Sequence, residues 1–228
     1  MHPCSIESVR EGFVCGLYEL SEDQYRDGAV IRYSNKGEEL QRVEFDSGVL
    51  DLKLSGNRGI LGCALSSSKM AFCGIRADGI LEREGEVFLG DEGLILSLSW
   101  NDVSIPEAFP KIATSSQNSS IHVLSMREGG IDVVSKISGG HVLRGEVVPI
   151  WTVSYNTHTK DVLASGGDDN ALKLWDIRQS DNPIAVAGQM KSHTAGVTSV
   201  RAKLNIIVNF FIDRKNAIFS IDSMASVQ

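Results

Sequence analysis

The sequence is short of several things, and each shortage removes a class of function. Its four cysteines, Cys4, Cys15, Cys63 and Cys73, are too few and too scattered for a disulfide scaffold. None stands in a C-x-x-C pair, so a zinc ribbon is excluded and no metal site is expected. Basic residues are outnumbered, 22 Lys plus Arg against 29 Asp plus Glu, for a net charge of -7. A nucleic-acid-binding surface needs the opposite balance, and no nucleic-acid partner is expected. Long apolar runs are missing as well. The longest, Leu204 to Ile212, is interrupted by two asparagines and is about half the ~20 residues that span a bilayer, so no membrane partner is expected. The stretch MHPCSIESVREGF has no apolar core fit for a secretory signal, which makes the cytoplasm, where thiols stay reduced, the expected compartment.

Familiar catalytic signatures are absent too. There is no G-x-S-x-G elbow, no H-E-x-x-H, no P-loop and no G-x-G-x-x-G, and no cofactor is expected. Helical periodicity never runs beyond about two turns. What remains is ordinary globular composition, 42% hydrophobic and 22% charged over 228 residues, enough for one or two domains.

What is present is a short alternating strand that recurs. It reads Leu50-Asp51-Leu52-Lys53-Leu54, Leu96-Ser97-Leu98-Ser99-Trp100, Trp151-Thr152-Val153-Ser154-Tyr155 and Val197-Thr198-Ser199-Val200-Arg201, at spacings of 46, 55 and 46. Apolar residues at every second position place one face against a packed layer. Each of the first three is followed by a break and a second strand: Gly59 to Leu65, Pro110 to Ser115 and Lys160 to Gly166. A third strand follows at Met70 to Ile75, Ser120 to Leu124 and Ala171 to Asp176. Units of roughly 40–45 residues holding several short strands read as blades of an all-β propeller. A β-sandwich also strings short strands between turns, but the nearly fixed period favours the propeller. His122, in the sequence Ile121-His122-Val123-Leu124, reads as a strand residue on a wet face.

One unit carries a specific motif. Gly140-His141 opens it, Ser165-Gly166-Gly167-Asp168-Asp169 forms a tight turn, and Leu172-Lys173-Leu174-Trp175-Asp176 closes it. This resembles a WD repeat, with its Gly-His start and its Trp175-Asp176 end. The resemblance implies that His141, Ser165, Asp169 and Trp175 form a hydrogen-bonded chain across one blade, a structural role.

Several segments together resemble one WD-repeat family. They are Cys15-Gly16-Leu17-Tyr18-Glu19-Leu20, Val49-Leu50-Asp51-Leu52-Lys53, Leu96-Ser97-Leu98-Ser99-Trp100, Trp151 with Tyr155-Asn156, Ser165-Gly166-Gly167-Asp168-Asp169, and His193-Thr194-Ala195-Gly196-Val197. The family is the diphthine methyl ester hydrolases of diphthamide synthesis. The match runs from about residue 12 to about residue 200. After Val200 the family's next turn and Trp-Asp ending do not follow. The organisation expected is therefore an amino-terminal extension over 1–11, propeller blades over 12–200 and a divergent tail, or terminal strand set, over 201–228. That is about four to five blade units of an expected seven, a partial WD-repeat β-propeller.

The resemblance implies hydrolysis of the methyl ester of methylated diphthine on translation elongation factor 2, the expected partner, alongside other protein partners. Such chemistry needs an activated water or nucleophile, a base and oxyanion donors. His193 is the first acid/base candidate, although it also reads as the next repeat's structural histidine. Asp168 is a second catalytic candidate, with turn solvation as its plainer explanation. Trp151 begins an inner strand and suits the trimethylammonium group that the family's substrate bears. Glu146 and His158 are further polar residues of the same stretch. The alternative reading is a WD-repeat interaction scaffold, or an inactive form of the hydrolase.

Overall fold

The computed structural model describes residues 1–22, 26–56, 59–90, 93–101, 109–156, 159, 161–179, 182–187, 195–203, 206–212 and 217–222, with side chains as far as residue 201. Among the described residues every regular element is a strand. No helix there is long and apolar enough to cross a membrane, which leaves spanning by strands untouched.

The strands fall into successive antiparallel meanders. The first holds β1 (His2–Val9), β2 (Gly12–Leu20), β3 (Arg26–Tyr33) and β4 (Glu39–Phe45). The second holds β5 (Val49–Leu54), β6 (Ile60–Leu65), β7 (Lys69–Ile75) and β8 (Leu81–Phe88). The third runs β9 (Ile95–Trp100), β10 (Lys111–Ser116), β11 (Ile121–Arg127), β12 (Gly130–Ile137). A small hairpin, β13 (Val142–Leu143) with β14 (Glu146–Val147), precedes the fourth sheet. That sheet is β15 (Ile150–Tyr155), β16 (Val162–Gly167), β17 (Leu172–Asp176) and β18 (Ala185–Ala187). A three-stranded sheet closes the chain: β19 (Val197–Lys203), β20 (Ile206–Ile212) and β21 (Ala217–Asp222). Residues 1–11 thus contain β1, and residues 201–228 contain β20 and β21. Two compact units result, Met1–Leu98 and Ser99–Gln228, with their boundary inside β9.

Strand position explains strand composition. The middle strands β6, β7, β10, β11, β16 and β17 are buried along nearly their whole length. Covered on both faces, such strands tolerate continuous apolar and small residues, as in ILGCAL and LKLWD. The last strands β8 and β12 alternate between exposed and half-buried positions instead. This fourth strand is the element that sequence reading passed over, because a solvated edge imposes little apolar pattern. His122 is corrected for the related reason: it lies on β11, opposite Thr114 on one side and Lys136 on the other, and is buried rather than wet.

Within Met1–Leu98 the core joins Val14 and Val30 to Val49, Leu52, Leu61, Leu65 and Ala71, with Cys63 and Cys73 as small apolar fillers. Each fully buried leucine here contributes roughly 1.5–3 kcal/mol. Within Ser99–Gln228, Ala113, Ile121 and Val123 pack against Ile150, Val153, Leu163 and Trp175. Ala164, Leu172 and Leu174 then pack against Val197 and Val200. All four cysteines are free.

The first strands of successive sheets are stitched by side chain to backbone. Asp51 Oδ2 accepts the Leu98 N–H at 3.0 Å, and Thr152 Oγ1 accepts the Val200 N–H at 3.3 Å. Asp51 also accepts the Leu52 N–H at 2.9 Å and the Lys53 ammonium at 3.2 Å. Asp51→Ala strands the buried Leu98 amide without an acceptor. We expect it to cost about 1–3 kcal/mol, read as a lower urea midpoint at unchanged slope, with Asp51→Asn recovering part of the loss.

Candidate functional site

The turn between β16 and β17 and the residue that opens the repeat meet in the core of Ser99–Gln228. His141 Nδ1 lies 2.6 Å from Asp169 Oδ1, and its Nε2 lies 2.7 Å from Ser165 Oγ. The Trp175 indole N–H donates to the same Ser165 oxygen at 2.8 Å. All four side chains are buried. The network assigns the tautomer: Nδ1–H donates to the carboxylate, and Nε2 accepts the serine hydroxyl. Asp169 is held further by its acceptance of the Ala171 N–H at 3.1 Å. Asp176, beyond the indole, pairs outward with Arg178 at 2.6 Å.

Two further residues join this array that sequence reading missed. Lys173 reaches Asp169 Oδ2 at 3.0 Å and donates to the Gly140 carbonyl at 2.8 Å. Ser119 Oγ accepts the His141 N–H and donates to the His141 carbonyl, both at 2.8 Å. The signal for Lys173 was available, since a lysine inside an otherwise apolar strand must find a partner. Ser119, 22 residues from His141 and on another sheet's turn, left no such signal.

Ser165, His141 and Asp169 stand at the distances of a nucleophilic triad, yet the environment denies them that chemistry. A serine that attacks must be reachable, and Ser165 is fully buried with its lone pair engaged by the Trp175 indole. Burial holds the His141 pKa below its ordinary value of 6.5, against the pull of Asp169. For Asp169 burial works to raise the pKa, but the bonds from His141 and Lys173 outweigh it and hold the carboxyl below 3.8. The array is a neutral imidazole donating to an ionised carboxylate, and its work is to hold strand, turn and opening residue together.

A different pair faces solvent at the same end of the sheet. The register between β15 and β16 skips one residue, with Ile150 opposite Gly167 and Thr152 opposite Gly166. Trp151 is the extra residue, and a bulge of this kind turns its side chain out of the ladder. Trp151 is 39% exposed, and its indole N–H donates to Asp168 Oδ1 at 2.6 Å. Asp168, next after Gly167, is fixed by its own N–H to the Pro149 carbonyl at 3.1 Å. Among the described residues no hydrogen bond engages Asp168 Oδ2. Gly196 closes the other side: a Cβ there would fall 2.5 Å from Asp168 Oδ1. A partly exposed aromatic ring beside a carboxylate is an arrangement that can bind a cation.

His193 and His158 lie outside the described residues. Glu146 is exposed on β14. The structure therefore brings Trp151 and Asp168 together, and separately gathers His141, Ser165, Asp169 and Trp175. Among the described residues no group of three or more His, Cys, Asp and Glu is placed to hold a metal ion.

No protein-family model matches the chain. A diphthine methyltransferase homolog of Dictyostelium discoideum is 26% identical over 224 residues, which cover 82% of this chain and 59% of that protein. The diphthine methyltransferase of Mus musculus is 26% identical over 230 residues, covering 87% of this chain and 46% of the mouse protein. The chain thus spans about half the length of these curated relatives. Among solved structures, Chaetomium thermophilum Sqt1 bound to the N-terminus of ribosomal protein L10 superposes with a TM-score of 0.68 at 12% identity, over 90% of this chain and 57% of Sqt1. The fold is all-β, of the WD-repeat β-propeller class, and over most of its length the chain is similar to proteins named diphthine methyltransferase.

Proposed function

We propose that the chain acts in diphthamide biosynthesis in the cytoplasm, hydrolysing the methyl ester of methylated diphthine on translation elongation factor 2. The similarity to diphthine methyltransferases motivates the pathway, and the observation that carries the site is the exposed Trp151 paired with Asp168 at 2.6 Å. In this reading the Trp151 face receives the substrate's trimethylammonium group and Asp168 balances its charge. Water adds to the ester carbonyl carbon, and His193 takes a proton from the water and returns it to the departing methoxide. The products are methanol and a carboxylic acid, which gives its proton to solvent and leaves as the carboxylate. The sealed Ser165–His141–Asp169 array takes no part.

That same sealing favours a second reading, a WD-repeat scaffold that binds proteins without turnover, because it removes the one triad-like array among the described residues. Elongation factor 2 carrying methylated diphthine, incubated with the purified chain, separates the two through methanol release. Trp151→Ala is expected to raise KM about tenfold with kcat little changed, the size of a lost cation–aromatic contact. Substrate capture with no methanol above the buffer control would leave the scaffold reading and discard hydrolysis.

A further inference from the structure

The hairpin β13–β14 is not explained by the fold. Its two-residue turn is the type I′ pattern, with Arg144 at φ 55° and Gly145 at φ 90°, a shape that matches strand twist and is stiff. Glycine at the second position removes the strain that a side chain would meet there. Across the ladder Val142 faces Val147, and the two are 42% and 58% exposed. A valine pair displayed on a tight hairpin contributes little to the core and keeps apolar surface in water.

The hairpin stands on a rigid base. The Val148 N–H donates to the His141 carbonyl at 3.1 Å, and the His141 ring and backbone are locked by Asp169, Ser165 and Ser119. Its exit runs through Pro149, whose carbonyl accepts the Asp168 N–H, directly to Trp151. The valine pair and the Trp151–Asp168 pair therefore share one short, fixed stretch of backbone. Exposed Glu146 beside Val147 adds a second carboxylate, against the single cation Arg144 at the turn.

From this juxtaposition we infer that Val142 and Val147 form the apolar half of a docking surface whose polar half is Trp151 and Asp168. The occupant is an extended polypeptide segment with a cationic side chain and neighbouring apolar residues. The cation enters between the indole and the Asp168 carboxylate, and the apolar side chains cover the valines. The charge pattern decides for this partner, since an acidic segment would meet Asp168 and Glu146. The inference deepens the cation reading of Trp151 and rests on it.

Calorimetry on the whole chain tests it with a short synthetic peptide bearing one trimethyl-lysine flanked by leucines, and with tetramethylammonium alone. The double variant Val142→Ser, Val147→Ser is expected to bind the peptide about tenfold more weakly, with tetramethylammonium binding and the melting temperature unchanged. Leucine at both positions restores peptide affinity. Equal peptide affinity in the serine double variant overturns the inference, as does an unmodified chain that binds no peptide. Peptide binding that survives Trp151→Ala yet falls in the double variant upholds the apolar surface and removes the cation site, so the two failures are distinguishable. A dimer that dissociates on the double substitution, with peptide binding intact, assigns the valines to a second copy and also overturns it.

Discussion

His141→Ala is expected to destabilise the unit Ser99–Gln228 by about 3–5 kcal/mol, the cost of leaving a buried charge without one of its partners. The ring satisfies Asp169 on one side and Ser165 on the other, at 2.6 and 2.7 Å. Alanine removes both bonds, opens a ring-sized void and leaves Asp169 with the Lys173 ammonium but without the imidazole N–H. Against a total of about 5–15 kcal/mol for a domain, a loss of this size removes a large share of the stability, read as a strongly lowered melting temperature. Trp175→Phe isolates a single bond, the indole to Ser165, and is expected to cost only about 1 kcal/mol. Comparable losses in the two variants would refute the network as the source of the effect.

The same array sets an acid limit. The His141 pKa is lowered below 6.5 in the folded chain, chiefly by burial, so the unfolded chain binds more protons just below that pH. Its contribution is complete above about 6.5 and declines as pH falls. The Asp169 pKa lies below 3.8, so its contribution is complete above that value and is lost as pH falls through the folded pKa. Both signs agree. Urea midpoints are expected to fall in two stages on acidification, the first beginning just under pH 6.5 and missing from His141→Ala.

Gly167→Ala is expected to cost about 3 kcal/mol although it adds one methyl group. A Cβ there would lie 2.7 Å from His141 Nδ1 and 2.8 Å from the Pro149 carbonyl oxygen. Neither neighbour can retreat cheaply. The ring is fixed by Asp169 and Ser165, and the carbonyl accepts the Asp168 N–H. Relief requires the imidazole to leave Asp169 or the bulge to shift, and a shift moves Trp151 away from Asp168. Loss of stability together with a changed Trp151 fluorescence is the expected result. Gly130→Ala, on β12 of the same unit, is the control: nothing lies within 4 Å of its Cβ, and an effect near zero is expected.

The repeat was legible because strand periodicity is local. Leu50, Leu96, Trp151 and Val197 mark the strands that became β5, β9, β15 and β19. The Gly-His and Trp-Asp markers pointed to the WD-repeat class that the fold displays. The outer strands and the first sheet were not legible. Edges in water carry mixed residues, and β1 to β4 lack the motif. The placement of His122 failed because alternation within one strand does not report whether a second sheet covers its other face.

The sequence by itself determined the strand repeat, the want of any familiar catalytic signature, and the residue types gathered in one repeat. Those features follow from side-chain chemistry and spacing along the chain. Tertiary structure decided which of them meet and which face water. Trp151 and Asp168, 17 residues apart, touch because β15 bulges at Trp151 where it pairs with Gly167 and Gly166. Ser165 and His141 touch as well, but under packed strands that shut out solvent. Register and burial are properties of the neighbouring strand as much as of the residue, and so they are set only when the sheets assemble.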